Sequence, residues 1–285
     1  MNINLYTDAQ KNNLALMQIS AWYKQRGGIK VTLNMPIIPC DVSYASILFE
    51  KNIKKFSADY YGGPAFPKLT LEEKFRTSFP DYDLFPIDYS LGYTFRPCYR
   101  NCAFCKVKEM IHPDFDHHSI HEFHNPKFKK ICLLNNNTFF DPKWRETFEE
   151  IHEAKLIVID ENGYDLRLMD EEKADILRKT KFAGYIHYAW DSMKDEKEIL
   201  ENLRIVPRGR VYVLIGFDTT EEEDIYRCRK IIELGHDPYI MPFHQSKKEK
   251  RFKRFIDTFM WRKYQTISEA WRDYKRSTSA KAEGL

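Results

Sequence analysis

Apolar positions in the first eighty residues follow two periods. Ile3, Leu5 and Tyr6 fall in a short run that predicts a strand. Leu14, Leu16, Met17, Ile19 and Trp22 recur at helical spacing, with Gly27 and Gly28 as the stop. Residues 29–33 alternate as a half-buried strand, residues 44–49 form a second apolar strand, and 51–56 predict a short helix. Gly62, Gly63 and Pro64 mark a turn. The strand–helix–strand–strand order over residues 1–88 predicts a small α/β layer with a partly parallel sheet. Residues 80–86, bracketed by Pro80 and Pro86, read as a polar linker.

From residue 89 onward, apolar runs alternate with helical spacings. Runs at 89–95, 130–134, 156–159, 184–190, 211–215 and 238–242 predict six strands. Trp144, Phe148 and Ile151 suit a helix begun near Asp141 and Pro142. Further helices are predicted at Ala174, Ile176 and Leu177, at Ile199, Leu200 and Leu203, and at Ile225, Cys228, Ile231 and Ile232. Strands separated by helices must run parallel, with right-handed crossovers. The span 89–243 holds 155 residues. A complete eight-unit barrel takes roughly 250 residues, so this span has room for five or six units. The prediction is a partial (β/α)6 TIM-like barrel, whose chemistry belongs at the C-terminal ends of the strands.

Residues 244–285 predict a helical extension and a tail. The run from Lys247 to Phe255 mixes basic and aromatic residues, and Phe255, Phe259 and Trp261 predict a helix over the barrel opening. A basic–aromatic run also raises RNA as a partner. The small, polar residues 277–285 predict an unpacked tail.

Composition narrows the class. The chain has 285 residues, 43% hydrophobic and 31% charged, as in a globular protein. Its net charge of +3 demands neither nucleic acid nor membrane as a partner. No apolar run reaches the roughly eighteen residues of a membrane span. Residues 1–8 lack a basic-then-apolar signal pattern, so a cytoplasmic location is expected.

Candidate chemistry concentrates in one loop. Cys98, Cys102 and Cys105 are spaced C-x3-C-x2-C, close enough for one loop to wrap three thiolates around a metal. Three ligands on a four-iron cluster leave one iron open, whereas iron–sulfur clusters are ordinarily ligated fully by cysteine. A zinc site with a histidine as fourth ligand is the competing reading, and it corresponds to a non-catalytic interaction domain. His112, His117, His118, His121 and His124 follow the loop; as a helix, they would put His121 on one face with His117 and His118. Cys132 and Cys228 lie in apolar patterns and read as buried structural thiols.

With Phe104 before its last cysteine, the loop resembles the signature of the radical S-adenosylmethionine superfamily. The resemblance implies a 4Fe-4S cluster whose open iron chelates S-adenosyl-L-methionine, and reductive cleavage to a 5′-deoxyadenosyl radical. It also implies a partial barrel and an external electron donor of the flavodoxin or ferredoxin type. The substrate class stays open among small molecules, peptides and nucleotides, with RNA modification as the alternative within the family. By position, Asn135, Asn136 and Asn137 stand where the family meets the methionyl amino group. Arg167 would pair with the methionyl carboxylate and Asp191 with the ribose hydroxyls. Gly216 and the backbone of Phe104 would meet the adenine. Residues 1–88 resemble a shortened Rossmann-like cobalamin-binding domain. The loop after its first strand starts at Asp8 but carries neither the histidine nor the glycine of that family, so cobalt ligation is not expected.

Overall fold

The computed structural model describes residues 1–112 and 115–282. The chain falls into two compact units, Met1–Ile159 and Asp160–Leu285.

The first unit opens with β1 (Asn2–Thr7), α1 (Leu14–Lys24), β2 (Lys30–Leu33), β3 (Val42–Ser46) and β4 (Tyr60–Gly62). These strands form one parallel sheet in the order β2-β1-β3-β4. The chain leaves β1 in one direction for β2 and returns on its other side for β3, which makes a topological switch point. Asn13 starts α1 by accepting from the Leu16 amide at 3.2 Å. The expected periodicity is met in the packing: Leu16, Ile19 and Tyr23 of α1 bury against Ile3, Leu5 and Phe75. Phe75 comes from α2 (Glu73–Arg76), a short helix absent from the pattern reading. The predicted helix at 51–56 is a 3-10 helix over Glu50–Lys55.

Residues 80–86 are packed, not a linker. Tyr82 and Phe85 share an apolar cluster with Met17, Leu91 and Cys132, and Asp81 pairs with Lys24 at 2.7 Å. Two aromatic rings outweigh the local polar count, and the first unit runs through the expected junction at residue 88 without a break.

The same unit continues with β5 (Ser90–Gly92), β6 (Lys130–Leu133), α3 (Trp144–Glu153) and β7 (Ile157–Ile159). These strands make a parallel sheet in the order β5-β6-β7. Trp144, Phe148 and Ile151 form the buried face of α3. Between β5 and β6, the described residues of 93–129 hold only short 3-10 turns where the unit pattern predicts a helix.

The second unit contains α4 (Glu171–Lys179), β8 (His187–Ala189), α5 (Glu196–Asn202), β9 (Arg210–Ile215), α6 (Glu221–Glu233) and β10 (Asp237–Pro242). Its strands are parallel in the order β10-β9-β8. Thr220 and Glu223 close a capping box at the start of α6. The C-terminal extension holds α7 (Lys247–Asp257) and α8 (Ile267–Ala282). The helix expected around 255–261 ends early, because Phe259 adopts a left-handed φ of 57° and a 3-10 turn follows. In the expected tail, 277–282 continue α8, and 283–285 lie outside the described residues.

The architecture is therefore α/β with parallel sheets, and the six strands of the expected barrel stand as two triplets, one in each unit. Among the described residues no helix is long and apolar enough to cross a membrane.

Candidate metal centre

β5 delivers the chain to the cysteine loop. Its last residue must be glycine, since a Cβ at Gly92 would sit 2.3 Å from the Phe123 ring. The loop is then anchored by the run after β6. Asn135, only 2% exposed, accepts from the amides of Thr94 at 2.9 Å and Phe95 at 3.1 Å. Its amide nitrogen donates to Thr94 Oγ1 at 2.8 Å. Asn136 donates to the Arg96 carbonyl at 2.6 Å. Asn137 is buried at the start of the Thr138–Phe140 turn. The three asparagines thus sit beside the cysteine loop as expected, but Asn135 is engaged at both ends of its carboxamide. It shapes the loop.

Cys98, Cys102 and Cys105 are all half-buried, as is Phe104. The Cys105 amide donates to the Cys102 carbonyl at 3.1 Å, closing the turn between them. Cys105 Sγ accepts from the Val107 amide at 3.5 Å, which fixes the sulfur against the turn that follows. The far flank is held by an ion pair between Lys106 and Glu50, and by Lys108 donating to the Ala103 carbonyl at 2.9 Å. Three half-buried thiols on one anchored loop are a soft donor set, which suits iron–sulfur or zinc. Among the described residues, no three His, Cys, Asp or Glu side chains are gathered into a group able to hold a metal ion. The loop therefore supplies donors of the right type.

The histidines after the loop do not share a helical face. Only Ile120–Glu122 forms a 3-10 turn, and residues 113 and 114 lie outside the described residues. His117 Nδ1 meets Asp141 Oδ2 at 2.7 Å, His118 Nδ1 meets Glu122 Oε2 at 3.0 Å, and His124 Nδ1 meets Ser90 Oγ at 3.0 Å. Burial, with His121 nearby, holds the His124 imidazole below its ordinary pKa. Each of these three rings already has a partner that fixes local structure. Cys132 and Cys228 are fully buried as expected, and burial pushes the Cys228 thiol far above its usual range.

The second unit holds the other expected residues, Asp191 and Gly216 just past strands and Arg167 in a 3-10 turn over Leu166–Leu168. Asp191 follows β8. Burial pushes its carboxyl up to about 6; Arg167 and Arg227 oppose this, and Asp165 and Asp195 reinforce it. Arg167 donates to both oxygens of Asp165, at 2.7 and 3.1 Å, and to Asp195 at 3.1 Å. Arg167 and Asp191 therefore belong to one aspartate-rich cluster. Gly216 follows β9 with φ +76°, and a Cβ there would lie 2.7 Å from Glu249 Oε1. That carboxylate accepts from the His244 amide at 3.0 Å and from Ser246 Oγ at 2.9 Å.

Pattern reading missed Arg227. Fully buried, it donates to the carbonyls of Trp190 at 2.6 Å and Leu214 at 2.7 Å, and to Asp224 at 2.6 Å. It ties the ends of β8 and β9 to α6, through carbonyls one residue before Asp191 and two before Gly216. The available signal was an arginine inside the apolar spacing of Ile225, Cys228 and Ile231.

At the switch point of the first sheet, Asp8 accepts from the amides of Leu48 at 2.7 Å and Phe49 at 3.1 Å, and from Asn52 at 2.8 Å. Burial opposes ionisation of Asp8, but these bonds outweigh it and hold the carboxyl below its usual range. Gly63 has φ +90°, and a Cβ on it would lie 2.7 Å from the Ile47 backbone. The loop after β1, which lacks the cobalamin family's histidine and glycine, is thus closed on its own chain.

No protein-family model matches this chain, and no curated protein matches it.

Proposed function

We propose that this chain is a radical S-adenosylmethionine enzyme. One observation carries the reading: a C-x3-C-x2-C loop leaves the end of a parallel strand, with all three thiols half-buried and its base pinned by Asn135 and Asn136. Cys98, Cys102 and Cys105 would hold a 4Fe-4S cluster. When bound, that cluster supplies one-electron cleavage of S-adenosylmethionine to methionine and a 5′-deoxyadenosyl radical that abstracts hydrogen from a substrate. The electron comes from a donor of the flavodoxin or ferredoxin class. Strands β5 to β10 are, in this reading, the strand set of a partial (β/α)6 barrel.

The chain's own residues do the positioning. Asn135 holds the backbone of Thr94 and Phe95, and so the entry to the cysteine loop. Val107 donates its amide to Cys105 Sγ and so orients that sulfur. Asp191 is the acceptor for ribose hydroxyls. Arg167, already balanced by Asp165 and Asp195, offsets the negative charge around Asp191 and enters as its partner. Gly216 is the candidate for backbone contact with the adenine, and the Glu249 carboxylate, which fills the space a Cβ would take, would have to move aside for it. Asn136 and Asn137 remain the candidates for the methionyl amino group.

Anaerobic reconstitution with iron and sulfide tests this. The expected product is a brown protein with about four irons and four sulfides per chain. It should release 5′-deoxyadenosine from S-adenosylmethionine when dithionite is added. Replacing any one of Cys98, Cys102 or Cys105 with serine should abolish both properties. A fully loaded sample that leaves S-adenosylmethionine intact would sink the reading. A colourless protein with one zinc per chain would install the interaction-domain alternative.

A further inference from the structure

We propose that the surface formed by α7 and the ends of β9 and β10 binds a single-stranded nucleic acid. As a binding site it needs no metal; as the substrate class of the enzyme it rests on the radical reading above.

Charge is the first observation. Residues 244–276 carry eleven Lys and Arg against four Asp and Glu, although the whole chain nets only +3. The helix α7 turns Phe252, Phe255 and Ile256 inward, and Phe252 and Phe255 pack on Trp271 of α8 at centroid distances of 5.0 and 5.1 Å. Several of its cations are spoken for: Lys248 pairs with Glu221 at 3.0 Å, Lys253 with Asp257 at 2.6 Å, and Arg251 bonds the Tyr274 carbonyl at 3.3 Å. Lys247, Lys250 and Arg254 are exposed and have no acidic partner among the described residues. They lie at i, i+3 and i+7, which is one helical stripe about 10 Å long. Each of the three cations can meet a phosphate of a flexible single strand.

The second observation is an aromatic platform at the head of the stripe. Phe217 and Phe243 stay 37% and 42% exposed, although large apolar rings ordinarily bury. Their centroids are 4.9 Å apart, edge to face, and the His244 ring stands 4.9 Å from Phe243. The Phe243 amide donates to the Ile215 carbonyl at 3.0 Å, so the platform rides on the sheet. Ser246, which caps α7, is only three residues further on. Exposed rings beside a row of unpaired cations is the arrangement that binds unpaired bases by stacking and their phosphates by charge. An anionic membrane fits less well, because the apolar face of α7 is already buried and cannot insert. Duplex fits less well because its bases are stacked on one another.

Fluorescence polarisation of labelled short oligouridylate and oligodeoxythymidylate against the full, metal-free chain tests the proposal, and the two probes separate RNA from DNA. Both single strands should bind more tightly than a duplex of equal length. The triple variant K247E/K250E/R254E should weaken binding at least tenfold and flatten the log–log salt slope by about 2. Phe243→Leu keeps the apolar bulk but removes the stacking face, and should weaken binding roughly 5- to 100-fold with the slope unchanged. A control triple, K51E/K54E/K55E in the first unit, should bind as the parent chain does. Circular dichroism melting of each variant confirms that it is folded. Absent binding, equal affinity for duplex, or parent-like affinity of both test variants overturns the proposal. Equal displacement of the probe by polyglutamate also overturns it and identifies an acidic protein as the occupant. None of these outcomes depends on cluster assembly or S-adenosylmethionine cleavage, so this proposal and the radical reading fail separately.

Discussion

Burial pushes the Asp191 carboxyl up to about 6, because it disfavours the charge more than Arg167 and Arg227 favour it. The folded state therefore holds a proton that the unfolded chain, near the ordinary carboxylate value of about 3.9, has already released. Between those values the folded state binds more protons, so this group's contribution to stability falls as pH rises from about 4 to about 6 and is lowest above that. Asp191→Asn removes the ionisation. At pH 7.5 it should stabilise the chain by roughly 1–3 kcal/mol, and at pH 4 the gain should vanish. Urea unfolding at both pH values checks this; equal stability of variant and parent at pH 7.5 would remove the strained-carboxylate account. A carboxylate kept where it costs stability is what a ligand-binding role would require. Asn135 shows the opposite case. Its position after a strand was legible in the sequence, but its carboxamide is consumed by Thr94 and Phe95, which only the three-dimensional neighbours could reveal.

At the scale of elements, the C-terminal helices are joined by one carboxylate. Glu221, in the first turn of α6, accepts from Lys275 at 2.8 Å and from Trp271 at 3.1 Å, both in α8, and pairs with Lys248 of α7 at 3.0 Å. Burial alone would raise its carboxyl, but these partners outweigh burial and draw it down to about 2. A depressed carboxyl contributes stability above its unfolded value near 4.5, and that contribution is lost as pH falls toward 2. Glu221→Gln should therefore cost roughly 1–3 kcal/mol at pH 7 and nothing near pH 2, read from denaturant unfolding. A constant deficit at both pH values would assign the effect to packing. The element boundaries show why sequence periodicity reads some segments and misreads others. α1, α3 and α6 carry enough turns for their buried faces to repeat, so Leu16, Phe148 and Cys228 are placed correctly. α2 and β4 are too short for a period to form. Residues 80–86 misled because two prolines and two aspartates dominate the local count, although Tyr82 and Phe85 decide the packing.

At the scale of the whole molecule, the two units carry different parts of the proposed chemistry. The first holds the thiols, and the second holds Asp191, Gly216 and the basic extension. If the thiols bind a metal only when folded, loading must stabilise the protein by mass action. Anaerobic loading with iron and sulfide should raise the melting temperature of the parent chain and leave that of Cys102→Ser unchanged. Equal shifts in both would mean that the metal is held elsewhere. Charge is also a whole-molecule property: the near-neutral total, which demands no nucleic-acid partner, averages over a basic C-terminal segment.

The sequence by itself determined the alternation of strands and helices apart from the β5–β6 connection, the parallel sense of the strands, and the clustering of three cysteines in one loop. These are local matters: a period of two or 3.6 residues and a spacing of three or four are set by neighbours along the chain. Only the tertiary structure decided that the six strands stand as two triplets, that Asn135 is a strut for the cysteine loop, and that Arg227 holds the ends of β8 and β9. Hydrogen bonds and burial at those positions join residues far apart in sequence, such as the 41 positions between Asn135 and Thr94. No local pattern encodes which distant donor will be nearest once the apolar faces have packed.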